Sequence, residues 1–423
     1  MKNTPLVVLL SVGSYVKTSD LVYSQMLKLG DAIDEAGDYT VKSFVFLPIA
    51  SCIKRYRQVI SDLKDIKSRT EHEVNFGFTP IRWSGAFSFF LRELFIKSHV
   101  YRLESAIFKD LASDTPVILH CRNYYSAFVA LRVKGRQPRS VKVVFDTRGL
   151  MPFEVPYISK MGSLLFGPFH RWEHELVKSS DVVLVQAKKS KEYLELVHGK
   201  EPNIAFLPIS GFPLKRRHKK LDCRFKTAWK KKQFLYVGSL GHWNNMEKLF
   251  TAFSMIAARF DEEVEFLVAT TEQISFPQER LPFKIKFTSV PYDEVHRLYN
   301  DSLALIIAGS AGDDFFSQSN MRLNYFSTKA VEALSLGVPL VVNDNLTELA
   351  EFVDSNHCGF KFSHFDKYKN SSTDLCGKIE EKQAWGVVSR NADKLGSQFL
   401  AENVHTAYAQ LWEKLILDTR EAQ

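Results

Sequence analysis

Residues Ser327–Glu351 read STKAVEALSLGVPLVVNDNLTELAE, and this stretch decides the fold. Glu332, Ala333, Leu334 and Leu336 favour helix, and Gly337 stands where a helix stops. Pro339 forbids further helix, and Leu340 to Val342 form the short apolar run of a buried parallel strand. A loop and a second helix start follow. Lys329 and Glu332 are one helical turn apart and share a face. A lysine offers a cation to phosphate, and a carboxylate accepts two hydroxyl hydrogen bonds of the kind a ribose or hexose donates. Helix starts beside strand ends are where open α/β sheets bind nucleotides. The alternative for an isolated K-x-x-E is a surface ion pair on an ordinary helix.

Outward from this stretch, 423 residues exceed one ordinary core and predict two domains. Hydrophobic content of 45% and charged content of 25% are those of a globular protein. A net charge of +8 favours anionic partners. No apolar run approaches the ~20 residues of a membrane span. Leu6 to Val12 serves better as a first buried strand than as a signal peptide. The five cysteines are odd in number and scattered, without a disulfide framework or a C-x-x-C zinc pair, and the expected compartment is cytoplasmic.

The opening reads strand (Pro5 to Leu10), loop, helix (Ser19 to Ala36) and strand (Val41 to Pro48), a Rossmann-like start. Gly13 in the first loop lets backbone N–H groups approach a ligand, or simply makes a turn. Ile53 to Val100 is rich in Lys, Arg and aromatics. It reads as helices with a solvated basic face, or as a surface on anionic lipid with Trp83, Phe87, Phe89 and Phe90 entering the interface. Arginine interleaved with aromatics also occurs in RNA binders, but no recognition-module signature accompanies it, and no nucleic-acid partner is expected. Two further strands end in polar residues, His120-Cys121-Arg122-Asn123 and Asp146-Thr147-Arg148-Gly149. Such strand ends face ligands in open α/β sheets. Read from the residues alone, Arg148 pairs with Asp146 and holds its loop. The charge run Lys215 to Lys232 marks a linker.

The central stretch resembles the donor-binding signature of retaining glycosyltransferases of family 4, "S-x-P-T-K-x-x-E-x-x-A-x-G-x-P-V-V", through Ser327, Thr328, Lys329, Glu332, Gly337 and Pro339. Phe234 to Gly238 then resembles that family's donor-domain opening strand, "Y-V-G-R-L", with Ser239 in place of Arg and Asn245 near a usual phosphate-binding Lys. Tyr292 stands at the helix start the family places beside the nucleotide base, and Ser310 ends its "P-S" segment. Asn324 aligns with the first Glu of the family's Glu-x7-Glu, whose second Glu is Glu332, and Glu351 opens its "E-x-V-x-x-x-x-x-G". In the first half, F-D-T-R-G-L-M-P-F-E-V resembles the "D-x-R-G" segment of members that act on bacterial surface polysaccharides.

The resemblance implies a GT-B fold, α/β with two Rossmann-like domains facing across a cleft. The expected layout is an acceptor domain over residues 1–212, a basic linker over 213–232, a nucleotide-sugar domain over 233–396 and a tail helix over 397–423 that returns to the first domain. It implies Lys329, Glu332 and Arg148 as catalytic residues. Gly13, Gly238, Ser239, Asn245, Tyr292, Ser310, Asn324, Ser327, Thr328 and Glu351 would bind the donor, and Arg122, Asp146 and Glu154 would face the acceptor. No cofactor or metal is expected, only a nucleoside-diphosphate sugar as co-substrate, and the chain lacks the Asp-x-Asp of metal-dependent GT-A enzymes. The implied partners are that donor, a glycan or polyprenyl-diphosphate-linked acceptor, and an anionic membrane surface touched from the cytoplasmic side. A non-catalytic nucleotide-sugar-binding scaffold on the same fold is the alternative, with a GT-B epimerase behind it.

Overall fold

The computed structural model describes residues 4–17, 21–53, 55–82, 86–137, 140–158, 160–200, 203–217, 221–240, 246–260, 263–272, 283–309, 314–324, 326–362, 375–376 and 379–421. The chain divides into two compact units, residues 1–207 with 405–423, and residues 208–404.

The first unit is built on seven parallel strands: β1 (Leu6–Val12), β2 (Thr40–Pro48), β3 (Glu73–Thr79), β4 (Val117–Arg122), β5 (Val141–Asp146), β6 (Val182–Val185) and β7 (Ile204–Phe206), in the order β3-β2-β1-β4-β5-β6-β7. Every residue of β1 and β4 is buried, which is why both read as continuous apolar runs rather than alternating ones. The first helical segment differs from expectation. It opens on a π-turn, Tyr23–Leu27, before the α-helix Lys28–Ala36. Gln25, Met26 and Leu27 of that turn are buried.

Helices cover the sheet through an aromatic cluster in which Trp172 lies 5.1–5.9 Å from the rings of Phe89, Tyr124, Tyr125 and Phe128. Phe89 is therefore a core residue, with Arg92 stacked 3.8 Å from its ring centroid, and does not enter a lipid interface. Phe90, its neighbour, is exposed. The expectations for Trp83 and for the Phe87 side chain fall outside the described residues.

The second unit repeats the plan with β8 (Gln233–Val237), β9 (Glu265–Ala269), β10 (Lys284–Thr288), β11 (Ala304–Ile307), β12 (Leu340–Asn343), β13 (Gly359–Phe362) and β14 (Leu375–Cys376). The order is β10-β9-β8-β11-β12-β13-β14, with only β14 antiparallel. Phe253 stacks on Phe266 at 4.2 Å, and Trp385 packs edge-on against Phe234 and Phe360. Each such side chain stabilises the unit by about 1.5–3 kcal/mol relative to exposure.

Two expected boundaries move. The first unit's leading segment ends at Leu207 rather than at residue 212. The stretch 213–232, read as a linker, contains the helix Leu221–Lys231 of the second unit. Arg224 of that helix is buried and donates to Ser302 O at 3.2 Å and Gly337 O at 2.8 Å, so part of the basic run is structural. The final helix spans Ala401–Glu421, and its residues from His405 onward group with the first unit.

Candidate functional site

In the second unit the helix Thr328–Ser335 starts with Ser327 as its N-cap, whose hydroxyl accepts from the Lys329 N–H at 3.2 Å. It stops where Gly337 takes φ +72° and returns its N–H to Leu334 O at 2.8 Å. This places Lys329 in the first turn and Glu332 one turn on. The Lys329 ammonium lies 4.8 Å over the Tyr236 ring, with the Tyr236 hydroxyl at 3.5 Å. Gly238, after β8, takes φ +122°, and a Cβ there would stand 2.5 Å from Lys329 Nζ. The bare backbone at Gly238 is what lets the lysine lie against it.

Burial lowers the Lys329 ammonium to about 8, against the opposing pull of Glu332. Glu332 is buried and accepts from the Tyr292 hydroxyl at 2.8 Å and the Tyr299 hydroxyl at 3.0 Å. Burial raises its carboxyl above the usual range, and the two tyrosines oppose that shift. Each carboxylate oxygen has one tyrosine partner and retains a lone pair for a further donor. β8 and β11 are adjacent at the point where strand order reverses, the position at which open α/β sheets receive nucleotides. The loop after β11 is fixed there by buried Asn343, which accepts from Gly309 N at 3.1 Å and donates to Gly309 O at 2.9 Å.

The second cluster lies in the first unit, where β4 and β5 end in Arg122 and Asp146. Asp146 is wholly buried, accepting from Arg148 Nε at 2.6 Å and from the Gln186 amide. Burial alone would raise its carboxyl, but Arg148, His120 and Arg122 reverse this and hold it well below the usual range. Arg148, at φ +55°, also donates to Gln25 Oε1 at 2.8 Å and to the Tyr408 hydroxyl at 3.4 Å. His120 Nδ1 lies 3.3 Å from Trp412 Nε1, which can only donate, so the ring proton sits on Nε2, facing Asp146 at 3.4 Å. Burial keeps His120 neutral. Glu154, in the first turn of the helix Met151–Ile158, lies against Gly149, where a Cβ would collide with its Oε1. Burial pushes the Glu154 carboxyl up to about 7.

The expected residues thus fall into two groups. Lys329, Glu332, Tyr292, Gly238, Ser327 and Thr328 gather in the second unit, and Arg122, Asp146, Arg148 and Glu154 at the strand ends of the first. Gly13 follows β1 at φ +79° and donates to Phe46 O at 2.9 Å, a turn that needs glycine. Ser239 is exposed, and its carbonyl accepts from the Tyr236 hydroxyl at 2.6 Å. Glu351 is exposed on the helix Thr347–Asn356, whose buried carboxylate is Glu348 instead. Asn324 ends the helix Phe315–Asn324, and its side chain, like Asn245 and Ser310, lies outside the described residues. Sequence reasoning placed His120 among the ligand-facing strand ends without giving it a role of its own, and it missed Tyr236, Tyr299, Gln25 and Tyr408 as site residues.

Two units, each built on a Rossmann-like sheet, give the chain the α/β plan of the GT-B fold. The family model "Glycosyl transferases group 1" matches residues 220–373. No curated protein sequence matches the chain. Among solved structures, the chain is similar to sucrose-phosphate synthase from Thermosynechococcus elongatus at 15% identity and TM-score 0.64, covering 98% of this chain and 100% of that one. Anabaena HepE in complex with UDP and glucose matches at 12% identity and TM-score 0.62, covering 97% and 100%. The apo lipopolysaccharide outer core galactosyltransferase WaaB matches at 11% identity and TM-score 0.59, covering 97% and 99%. At such identities the likeness speaks for fold. No helix among the described residues is long and apolar enough to cross a membrane.

Proposed function

We propose that this protein is a retaining glycosyltransferase of the family 4 kind, moving a sugar from a nucleoside-diphosphate sugar to a glycan or lipid-linked acceptor in bacterial surface polysaccharide synthesis. The observation that carries this is Lys329, half-buried against the bare backbone of Gly238 and one helical turn from buried Glu332, at the strand-order reversal of the second sheet. Lys329 holds the diphosphate and stabilises charge on the departing group. Glu332 takes ribose hydroxyls on its remaining lone pairs, with Tyr292 and Tyr299 fixing its orientation. Ser327 and Thr328 line the phosphate side. In front-face displacement the bond from the anomeric carbon to the diphosphate oxygen breaks. The acceptor oxygen bonds on the same face, and its proton passes to the leaving phosphate.

The test pairs a nucleotide-binding measurement with hydrolysis and transfer assays over a panel of nucleoside-diphosphate sugars. Lys329→Ala is expected to abolish turnover while leaving the fold intact, and near-normal transfer by that variant overturns the assignment. Ser239, uncharged where the resembled Y-V-G-R-L pattern has Arg, supports a second reading as a non-catalytic nucleotide-sugar-binding protein. Binding without any hydrolysis or transfer selects it. A peripheral membrane role is supported by Phe90, Leu94 and Tyr101, exposed at helical spacing on Ala86–Phe108 with Lys97 and Arg102 among them. Liposome sedimentation checks this, with Leu94→Glu expected to weaken binding to anionic vesicles. Equal, negligible binding to anionic and neutral vesicles removes the membrane role.

A further inference from the structure

In the first unit, strand order reverses between β1 and β4. The strand ends at that point are Val12–Gly13 and Arg122–Asn123, tied together by Asn123 Nδ2 donating to Val12 O at 3.1 Å and Val12 N donating to Ser126 Oγ at 2.9 Å. Arg122 is 8% exposed. Among the described residues its guanidinium has one hydrogen bond, from Nη1 to Gln25 Oε1 at 3.2 Å. The same Gln25 oxygen also receives Arg148 Nη1 at 2.8 Å. Asp146, the one carboxylate acting on Arg122, is committed at 2.6 Å to Arg148 Nε. Among the described residues, buried Arg122 and part-buried Arg148 therefore share a single carboxylate, and the neighbouring His120 is neutral. Burial first, and then the like charge of Arg148, push Arg122 down to about 9. A buried cation without a full counter-charge is costly, and among the described residues Arg122 has only a share of Asp146.

The unengaged nitrogens of Arg122 are Nε and Nη2. Their N–H groups lie along one edge of the guanidinium plane, the edge that grips two oxygens of a phosphate. Ligands of open α/β sheets bind at the strand-order reversal, where this edge stands. We propose that Arg122 forms an anion subsite for a phosphate or diphosphate group carried by the acceptor, Arg148 contributing charge from its place beside Asp146. The word acceptor rests on the transferase reading above. The anion site itself does not.

Because phosphates also reach Lys329, the test uses the full chain carrying Lys329→Ala. Inorganic pyrophosphate is titrated calorimetrically at low salt into that variant and into Lys329→Ala/Arg122→Gln. Measurable binding by the first and a loss of about tenfold or more in the second are expected, since a bidentate charged contact is removed. Unchanged affinity between the two, or no pyrophosphate binding by Lys329→Ala, overturns the subsite. Circular dichroism checks the fold. If Arg122→Gln does not fold, Arg122→Lys decides. It keeps the charge but loses the two-oxygen edge, and must weaken binding, whereas unchanged affinity overturns the proposal. Glucose 6-phosphate and monomeric dodecyl phosphate, each titrated against its non-phosphorylated parent, separate a soluble phosphosugar from a lipid-linked source. Arg122→Gln must abolish whichever preference appears, and a preference that survives it overturns the proposal. None of these readouts requires a nucleotide sugar, so failure of the transferase reading would show separately, as absent donor binding by the wild type.

Discussion

Gly238 and Lys329 are mutually dependent: a Cβ on the glycine would stand 2.5 Å from the lysine Nζ and 2.6 Å from its Cε. The obstructed atoms are the far end of a flexible side chain, so the ammonium would be displaced before the backbone moved. Gly238 also takes φ +122°, which an L side chain tolerates at about 1–3 kcal/mol of strain. Gly238→Ala is therefore expected to lower the thermal midpoint modestly and to cut sugar transfer by about tenfold or more through a misplaced cation. Initial rates and a melting curve on the same preparation check both effects.

Lys329 gives the donor site a pH dependence. Its folded value of about 8 lies below the ordinary 10.5. Between those values the native lysine is neutral while the unfolded one is charged, so this group's stability cost is present at neutral pH and relieved as pH rises from 8 to 10.5. Binding runs in the opposite direction, because a diphosphate needs the ammonium. Nucleoside diphosphate affinity is expected to be flat below about pH 8 and then to fall by up to about tenfold per pH unit. Titrations in buffers of different ionisation enthalpy check this, since proton uptake should grow above that pH. Lys329→Arg should remove the slope.

Much of this was legible in sequence where the signal is local. The helix from Ser327 to the stop at Gly337, the strand Leu340–Asn343 and the shared face of Lys329 and Glu332 follow from caps, proline and periodicity. The partners of those residues carry no such signal. Tyr292 and Tyr299 reach Glu332 across 40 and 33 residues, and Tyr408 reaches Arg148 across 260. Arg224 looked like one charge in a solvated run, because nothing in its neighbours foretells that Ser302 and Gly337 present carbonyls to it. Phe89 and Phe90 are adjacent and chemically identical. Helix phase alone puts one in the core and the other outside.

Asp146 neutralises the guanidinium nearest it and orients His120. Asp146→Asn keeps the shape but leaves part-buried Arg148 and buried Arg122 facing each other's charge without that carboxylate. Removing one partner of a buried ion pair costs about 3–5 kcal/mol. Chemical denaturation is expected to show a loss of that order with an unchanged slope. Asp146→Asn combined with Arg148→Gln should recover part of it, because the orphaned charge goes too. Absence of any recovery would mean the pair is not the source of the loss.

Glu154 gives the first unit a stability that declines with pH. Burial places its carboxyl at about 7, against an ordinary value of 4.5. Below pH 4.5 native and unfolded chains both hold the proton. Between 4.5 and 7 the unfolded chain releases it while the native chain keeps it, so stability falls with rising pH, and the loss levels off above 7. The full effect is up to about 3 kcal/mol. Glu154→Gln keeps the shape against Gly149 and cannot ionise. It is expected to match the wild type at pH 4.5 and to be the more stable protein at pH 8. Denaturant midpoints of both proteins across that range check the divergence, and parallel curves would show that Glu154 does not titrate within it.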